Sequence, residues 1–362
     1  MTILQVRDSR IDLIRGFSML TITVNHLAWL CKSMGYQGAI IPTLTQFGYS
    51  SGAEIFFSMS GYMVGLVYFR KPEIEKRLLH RASYLYFVNA LLFAAVITVG
   101  WFAPKNFQVA SGTAFTIQNP LQGTLQFLLL GQAPALVDVL QVYIILMIIT
   151  AFAADIIRRR PILAVAVSFL AYLSANSFDW LNLPGGPQAD DYQYNMNPFA
   201  YQFLFLLGIM LGMAKVHRKL FAWTQKRRIA LLALATLAFA AVSYRTNLLG
   251  LNAVLADKEA LGALRIIHTA VVLAFLAAFL NFTQTYHQTF VARTVAVIGK
   301  NSLECYLVSC LSVYFFSAIA AAIGLTPAEI IVFSLTCAAF VGLTGILLER
   351  YKQSHSVAAL PS

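Results

Sequence analysis

Between Arg7 and Tyr68 the chain sets polar and ionisable groups inside two apolar segments. The first segment carries Asp12, Arg15, Asn25 and His26, and the second carries Glu54. An ionisable side chain in a membrane span is costly, so each of these is a candidate for function. Histidine suits acid–base work because its unperturbed pKa is about 6.5. A general base needs a hydroxyl to deprotonate, and a carboxylate orients an imidazole in the triads that perform such chemistry. The same ring can also accept an acyl group directly. Arg15 and His26 are eleven residues apart, about three helical turns and roughly 16 Å along the axis. Asp12 falls within about 40° of their stripe. Glu54 is the only acid of the second segment, and its depth differs from that of His26 by roughly 5 Å. It is therefore the expected hydrogen-bonding partner of His26, with these two as the catalytic pair.

These groups need helices in lipid to position them. The 362 residues are 59% hydrophobic and 11% charged, against about 25% charged in a soluble domain. Spans of about 20 apolar residues cross a bilayer, and the chain reads as ten of them: 13–33, 50–69, 82–102, 136–155, 161–176, 198–214, 229–249, 263–282, 302–322 and 327–348. The fold class is thus an all-α integral membrane protein. With the N-terminus in the cytoplasm, 21 of the 26 Lys and Arg residues fall on the inner side. Only Lys32, Lys105, Arg245, Lys258 and Arg265 face out. That bias sets an N-in, C-in orientation. It also assigns the net charge of +11 to topology and excludes nucleic acid as a partner. Asp12 and Arg15 interrupt the first apolar run and no small-residue cleavage site follows, so it does not read as a cleavable signal. Residues 1–352 form one transmembrane domain, followed by a short polar tail, 353–362.

Other groups are weighed against simpler roles. In the second helix Ser51, Glu54, Ser58, Gly61 and Gly65 recur at steps of three and four, a spacing that lets another helix approach closely. In the fourth span Asp138, Gln141 and Tyr143 start near the outer surface and border a pocket. Gly123–Gln132 is apolar but too short to span, and reads as re-entrant or interfacial. The outer loop 177–197 holds Asp179, Asp190, Asp191, aromatics and amides. It suits either a sugar or an interfacial aromatic belt. The inner basic loops suit the phosphates of a nucleotide-like donor or the positive-inside rule alone. Of six histidines only His26 and His268 lie in spans, and His268 reads as a residue bonded to a neighbouring helix. Gly299 reads as a turn and Ser302 as a helix N-cap. Thr326-Pro327-Ala328-Glu329 fits a capping box. The cysteines Cys31, Cys305, Cys310 and Cys337 form no ligand-like pair. No phosphate loop, nucleophile elbow or HExxH motif is present, and no metal is expected.

Ile11-Asp12-Leu13-Ile14-Arg15-Gly16 with Asn25-His26 resembles the membrane acyltransferases of the acyltransferase-3 superfamily. Gly48-Tyr49-Ser50, Ala53-Glu54-Ile55-Phe56 and Ser60-Gly61-Tyr62 resemble the OpgC family within it, as does Gly299-Lys300-Asn301-Ser302-Leu303. This chain has Ser51-Gly52-Ala53-Glu54 where the family often carries an acid earlier in the motif. The resemblance implies transfer of an acyl group, typically succinyl, from cytoplasmic succinyl-CoA to periplasmic glucans at the inner membrane. It implies His26 as the catalytic histidine and Arg15 as the donor-side arginine. Asp12, Asn25, Ser58, Ser60 and Tyr143 complete the expected substrate-contacting set. Two other classes remain: a proton-coupled transporter, since intramembrane His and Glu also serve carriers, and a non-catalytic assembly or export subunit.

The charge bias makes a direct prediction: a reporter fused after Asp190 reads as external, and reporters at both termini read as cytoplasmic. A cytoplasmic signal at Asp190 would overturn the ten-span reading.

Overall fold

The structure, a computed structural model, describes residues 8–38, 40–43, 48–185, 193–248, 250, 255–324 and 326–358. Asp190 and Asp191 and residues 359–362 of the tail lie outside these. Among the described residues all regular structure is helical. The helix α1 (Ser9–Ser33) starts at Asp8, whose carboxylate accepts from the Arg10 amide at 3.0 Å. It is followed by α2 (Gly52–Val67), α3 (Ile74–Phe102), the short α4 (Lys105–Ala110), α5 (Ala114–Gln118) and α6 (Pro120–Leu128), then α7 (Val137–Arg159) and α8 (Pro161–Ser177). The second half holds α9 (Pro198–Met213), α10 (Val216–Thr224), α11 (Arg227–Thr246), α12 (Ala263–Phe282), α13 (Phe290–Lys300), α14 (Ser302–Ile323) and α15 (Pro327–Ala358).

Every expected span falls on a helix. Six helices, α3, α7, α11, α12, α14 and α15, are long and apolar enough to cross a membrane, which makes this a multi-pass membrane protein. The pair α9–α10 adds a seventh if it counts as one broken span, bent by 84° at Lys215, whose φ is +51°. The helices α2 and α8 are apolar but shorter. Helix boundaries exceed the apolar runs: α3 begins eight residues before the expected span, inside the basic stretch, and α15 continues through polar residues to Ala358. The Thr326–Glu329 capping box is present, with Glu329 Oε2 accepting from the Thr326 amide at 2.8 Å and Thr326 Oγ1 from the Glu329 amide at 3.4 Å.

Glycine decides which helices lie together. A Cβ on Gly61 or Gly65 of α2 would sit 2.1 Å from the Phe205 or Ile209 carbonyl oxygen of α9. In return, a Cβ on Gly208 would sit 2.3 Å from the Ser58 carbonyl, and one on Gly212 2.1 Å from that of Tyr62. The small-residue stripe of the second helix therefore meets a matching stripe on α9, backbone against backbone, as small residues allow between helices in lipid. A second such contact joins α1 to α13, where Gly16 and Gly299 face the Val295 and Asp12 carbonyls. Gly299 is thus a helical contact residue and not the turn expected for it. Asn301 rather than Ser302 is the N-cap of α14.

The helix α14 runs parallel to α1, tied by Arg15 to Ser302 Oγ at 2.5 Å and by Thr23 to Ser309 at 2.8 Å. The segment between α3 and α7, whose apolar part reads from sequence as re-entrant or interfacial, packs against the bundle. The α6 residue Phe127 stacks on Phe93 at 3.9 Å, and the carbonyls of Ala135 and Leu136 accept from the Tyr314 and Tyr306 hydroxyls. Helix ends sort to two poles. At the basic pole Arg10 donates to Asn281 and lies over Phe221, Tyr62 bonds His217 and Arg70 reaches the Met213 carbonyl.

Because the glycine seam leaves no room for a side chain, Gly61→Val and Gly208→Val are expected to lower the yield of folded, monodisperse protein in detergent and its unfolding temperature. Overpacking of this kind costs about 1–3 kcal/mol or more. Gly342→Ala is the control, since a Cβ there meets Thr294 at 3.4 Å, an ordinary contact.

Candidate active site

At the pole opposite the basic one a cavity of about 690 Å³ opens. Its walls are the last turns of α1, the first turns of α2 and α7, the residues before α9, the loop before α12, and Tyr306 of α14. Two of the expected residues line it, Asn25 and His26. Asn25 Oδ1 accepts from Thr43 at 2.6 Å, which ties the loop after α1 to the helix. The His26 ring stands edge-on to Tyr306 at 6.5 Å. Its Nδ1 is enclosed and has no hydrogen-bond partner among the described residues. A buried polar atom left in this state is one that a ligand or water must satisfy.

Glu54 does not supply that partner. The expected His26–Glu54 pair is replaced by an ion pair between Glu54 (0% exposed) and Arg265 (8% exposed). Arg265 Nε and Nη2 donate to Glu54 Oε1 at 2.6 and 2.5 Å. The Ser51 amide and hydroxyl donate to Oε2 at 2.6 and 2.5 Å, closing a capping box at the start of α2. The Tyr201 hydroxyl lies 3.4 Å from Oε1. All the capacity of this carboxylate is used. The correction has a physical cause: the first turn of α2 turns Glu54 back onto its own N-cap and towards α12, so that Ser51, Gly52 and Ala53 face the cavity and Glu54 does not. Arg265, counted from sequence only as an outer cation, lies within the apolar run of α12. That placement itself demanded a buried acid as partner.

The remaining expected residues divide. Arg15 is remote from the cavity mouth and joins α14 through Ser302 towards the basic pole. Asp12 is buried where α1 meets α13. Ser58 belongs to the glycine seam and does not line the cavity, a correction to its expected substrate contact. Ser60 lies beside the Tyr143 hydroxyl, which is in the field of Arg15 and Arg81. Between these and His26 stands a line of rings: Tyr143 and Phe56 at 6.2 Å, Phe56 and Tyr306 at 6.1 Å, then Tyr306 and His26. Tyr143 therefore borders the middle of this line rather than the outer pocket. Asp138, buried at the start of α7, does line the cavity, with Asn195 and Lys258. Sequence reasoning gave Tyr306 and Asn195 no role and counted Lys258 only as an outer cation, and no motif marks them.

His268 is held by Ser50, whose amide and hydroxyl approach Nδ1 at 3.1 and 2.7 Å. This is the interhelical bond expected of it. Chemically, the arrangement offers a neutral-capable imidazole at the inner end of an open cavity, with a lipid-depth aromatic path leading from it to an arginine.

A family model described as OpgC protein matches residues 7–353. No curated protein and no solved structure matches the chain.

The Glu54–Arg265 pair is expected to govern stability before it governs turnover. Glu54→Gln and Arg265→Met each leave a buried charge alone, which costs about 3–5 kcal/mol. The Glu54→Gln/Arg265→Met double variant is expected to regain part of that loss in thermal unfolding in detergent. If Glu54→Gln kept full stability and lost only activity, the carboxylate would belong to the reaction rather than to the scaffold.

Proposed function

The chain belongs to the OpgC family, and from that premise we propose that it is an inner-membrane O-acyltransferase carrying an acyl group, succinyl, from cytoplasmic acyl-CoA to a hydroxyl of a periplasmic glucan or related envelope glycan. The observation that carries this reading is His26. Its unsatisfied Nδ1 stands at the inner end of a cavity open at one pole, while Arg15 on the same helix stands roughly 16 Å away towards the basic pole.

In this reading the donor stays on the basic side, where Arg15 takes an anionic group of CoA. Its acyl–pantetheine arm follows the line of Tyr143, Phe56 and Tyr306. The acceptor hydroxyl enters from the open pole. His26 takes the hydroxyl proton as the oxygen attacks the thioester carbonyl carbon. The new C–O ester bond forms, the C–S bond breaks, and the CoA thiolate leaves and is protonated, with His26 returning to neutrality. In this reading the edge-on Tyr306 ring, 6.5 Å away between centroids, helps to orient the imidazole in place of a carboxylate. The transporter reading drew on His26 and Glu54 as intramembrane ionisable groups, and the Glu54 carboxylate is occupied by Arg265 and Ser51.

The test is acyl transfer by the purified protein in liposomes, followed by release of CoA thiol and by mass of the acceptor glycan. His26→Ala is expected to lower kcat by about 10²–10⁴-fold with little change in donor KM, and Arg15→Ala to raise donor KM. An active His26→Ala protein, or no transfer by the unaltered one, would overturn the reading.

A further inference from the structure

The loop before α12 carries a cation to the mouth of the cavity and is held there with unusual completeness. Five of its carbonyls are bonded to helices or to the segment before α9. Ala256 O accepts from Arg265 at 3.1 Å, Lys258 O from the Tyr201 hydroxyl at 2.9 Å, and Glu259 O from the Asn197 amide at 3.0 Å. Ala260 O accepts from Asn176 at 2.8 Å and Leu261 O from the Tyr172 hydroxyl at 3.1 Å. Asn182 binds the Glu259 carboxylate at 2.9 Å. Loops at a protein surface are ordinarily the mobile part of it. This one is a strap, and the buried Glu54–Arg265 pair is one of its anchors.

What the strap presents is Lys258. Its side chain is exposed, lines the cavity and makes no ion pair among the described residues. Its ammonium is close enough for its field to bear on both His26 and Asp138. Lys32, in the last turn of α1, lines the same cavity and is likewise without an ion pair there. Asp138, the one acid on the wall among the described residues, is engaged by Asn195 and by the Val139 amide. With His26 neutral, the lining groups among the described residues carry one positive charge in excess. A neutral sugar hydroxyl does not need that charge. An acyl group ending in a carboxylate does.

We propose that Lys258, with Lys32 of the same cavity lining, is the group that receives the distal carboxylate of the succinyl chain in that reading and so sets the preference over acetyl. The proposal rests on the acyl-transfer reading above and deepens it. With the thioester carbonyl at His26, three carbon–carbon bonds separate the reacting carbon from the distal carboxylate carbon, roughly 4 Å in extended form. The tail then points out of the aromatic line into the cavity, towards the cations. Lysine's flexible stem and compact charge allow it to meet a carboxylate that arrives with each turnover. A charged hydrogen bond of this kind supports discrimination of about 10–100-fold.

The experiment compares succinyl-CoA with acetyl-CoA as donors for the full-length protein in liposomes, reading the ratio of their kcat/KM values. Lys258→Gln is expected to lower the succinyl-to-acetyl ratio by about 10–100-fold, and Lys258→Arg to restore most of it. An unchanged ratio in a folded Lys258→Gln protein overturns the proposal, including the case where both donors fall together because the strap has shifted. A binding arm separates this from the acyl-transfer reading itself, using monomethyl succinate and methyl butyrate as probes of thermal stabilisation. If the unaltered protein releases CoA from neither donor, that reading fails. A stabilisation by monomethyl succinate alone that Lys258→Gln abolishes would still establish the carboxylate site, and its absence or persistence in the variant would remove it.

Discussion

A carboxylate and a guanidinium buried against each other hold the open pole of this molecule together. Glu54 is wholly enclosed and Arg265 nearly so. Neither could remain charged there alone, since desolvation of a lone ion costs several kcal/mol. Together, and with Ser51 completing the hydrogen bonds of the carboxylate, they join α2 through Glu54 and Ser51 to α12 through Arg265, and Tyr201 of α9 lies beside them with its hydroxyl 3.4 Å from Glu54 Oε1. The remaining donor of Arg265 and the hydroxyl of Tyr201 then fix two carbonyls of the loop before α12. The geometry of the cavity mouth follows from this one pair, although neither member lines the cavity.

Around that anchor, α1 spans both chemical environments. Its first turns meet α13 and α14 near the basic pole, with Arg15 on Ser302, and its last turns carry Asn25, His26, Trp29 and Lys32 along the cavity wall. The parallel α14 repeats the division, with Ser302 at one level and Tyr306, reaching His26 and Leu136, at the next. One helix thus reaches from the basic pole to the cavity, which is the arrangement that the acyl transfer proposed above would use.

Much of the scaffold was legible from residue pattern because apolar length and small-residue spacing act locally. The expected spans are helices, the stripe ending at Gly61 and Gly65 does take a close partner, and Thr326–Glu329 caps a helix. The site was legible only in part. His26 stood out because an imidazole in an apolar run has few structural uses, but its surroundings come from distant segments. Tyr306 is 280 residues away in sequence, and nothing in its local pattern marks it. Glu54 was assigned the wrong partner because depth along a helix does not reveal which way the first turn faces. Its Ser51 cap, three residues earlier, was the missed signal. Arg265 shows the converse failure: a charge counted for topology was in fact spent in packing. Gly299 misled for another reason, since a glycine fits a turn as readily as a tight helix contact.

The seam between α2 and α9 has one further consequence. Where two helices touch through backbone on both sides, their spacing is the smallest that polypeptides permit and has no slack in which to vary. The first turn of α2 and the residues leading into α9 form neighbouring walls of the cavity. The four glycines deeper in the membrane therefore act as a gauge block. They set the aperture of the cavity remotely, without lining it, and any lineage that widened that aperture would have to begin by changing residues that nothing inside the cavity meets.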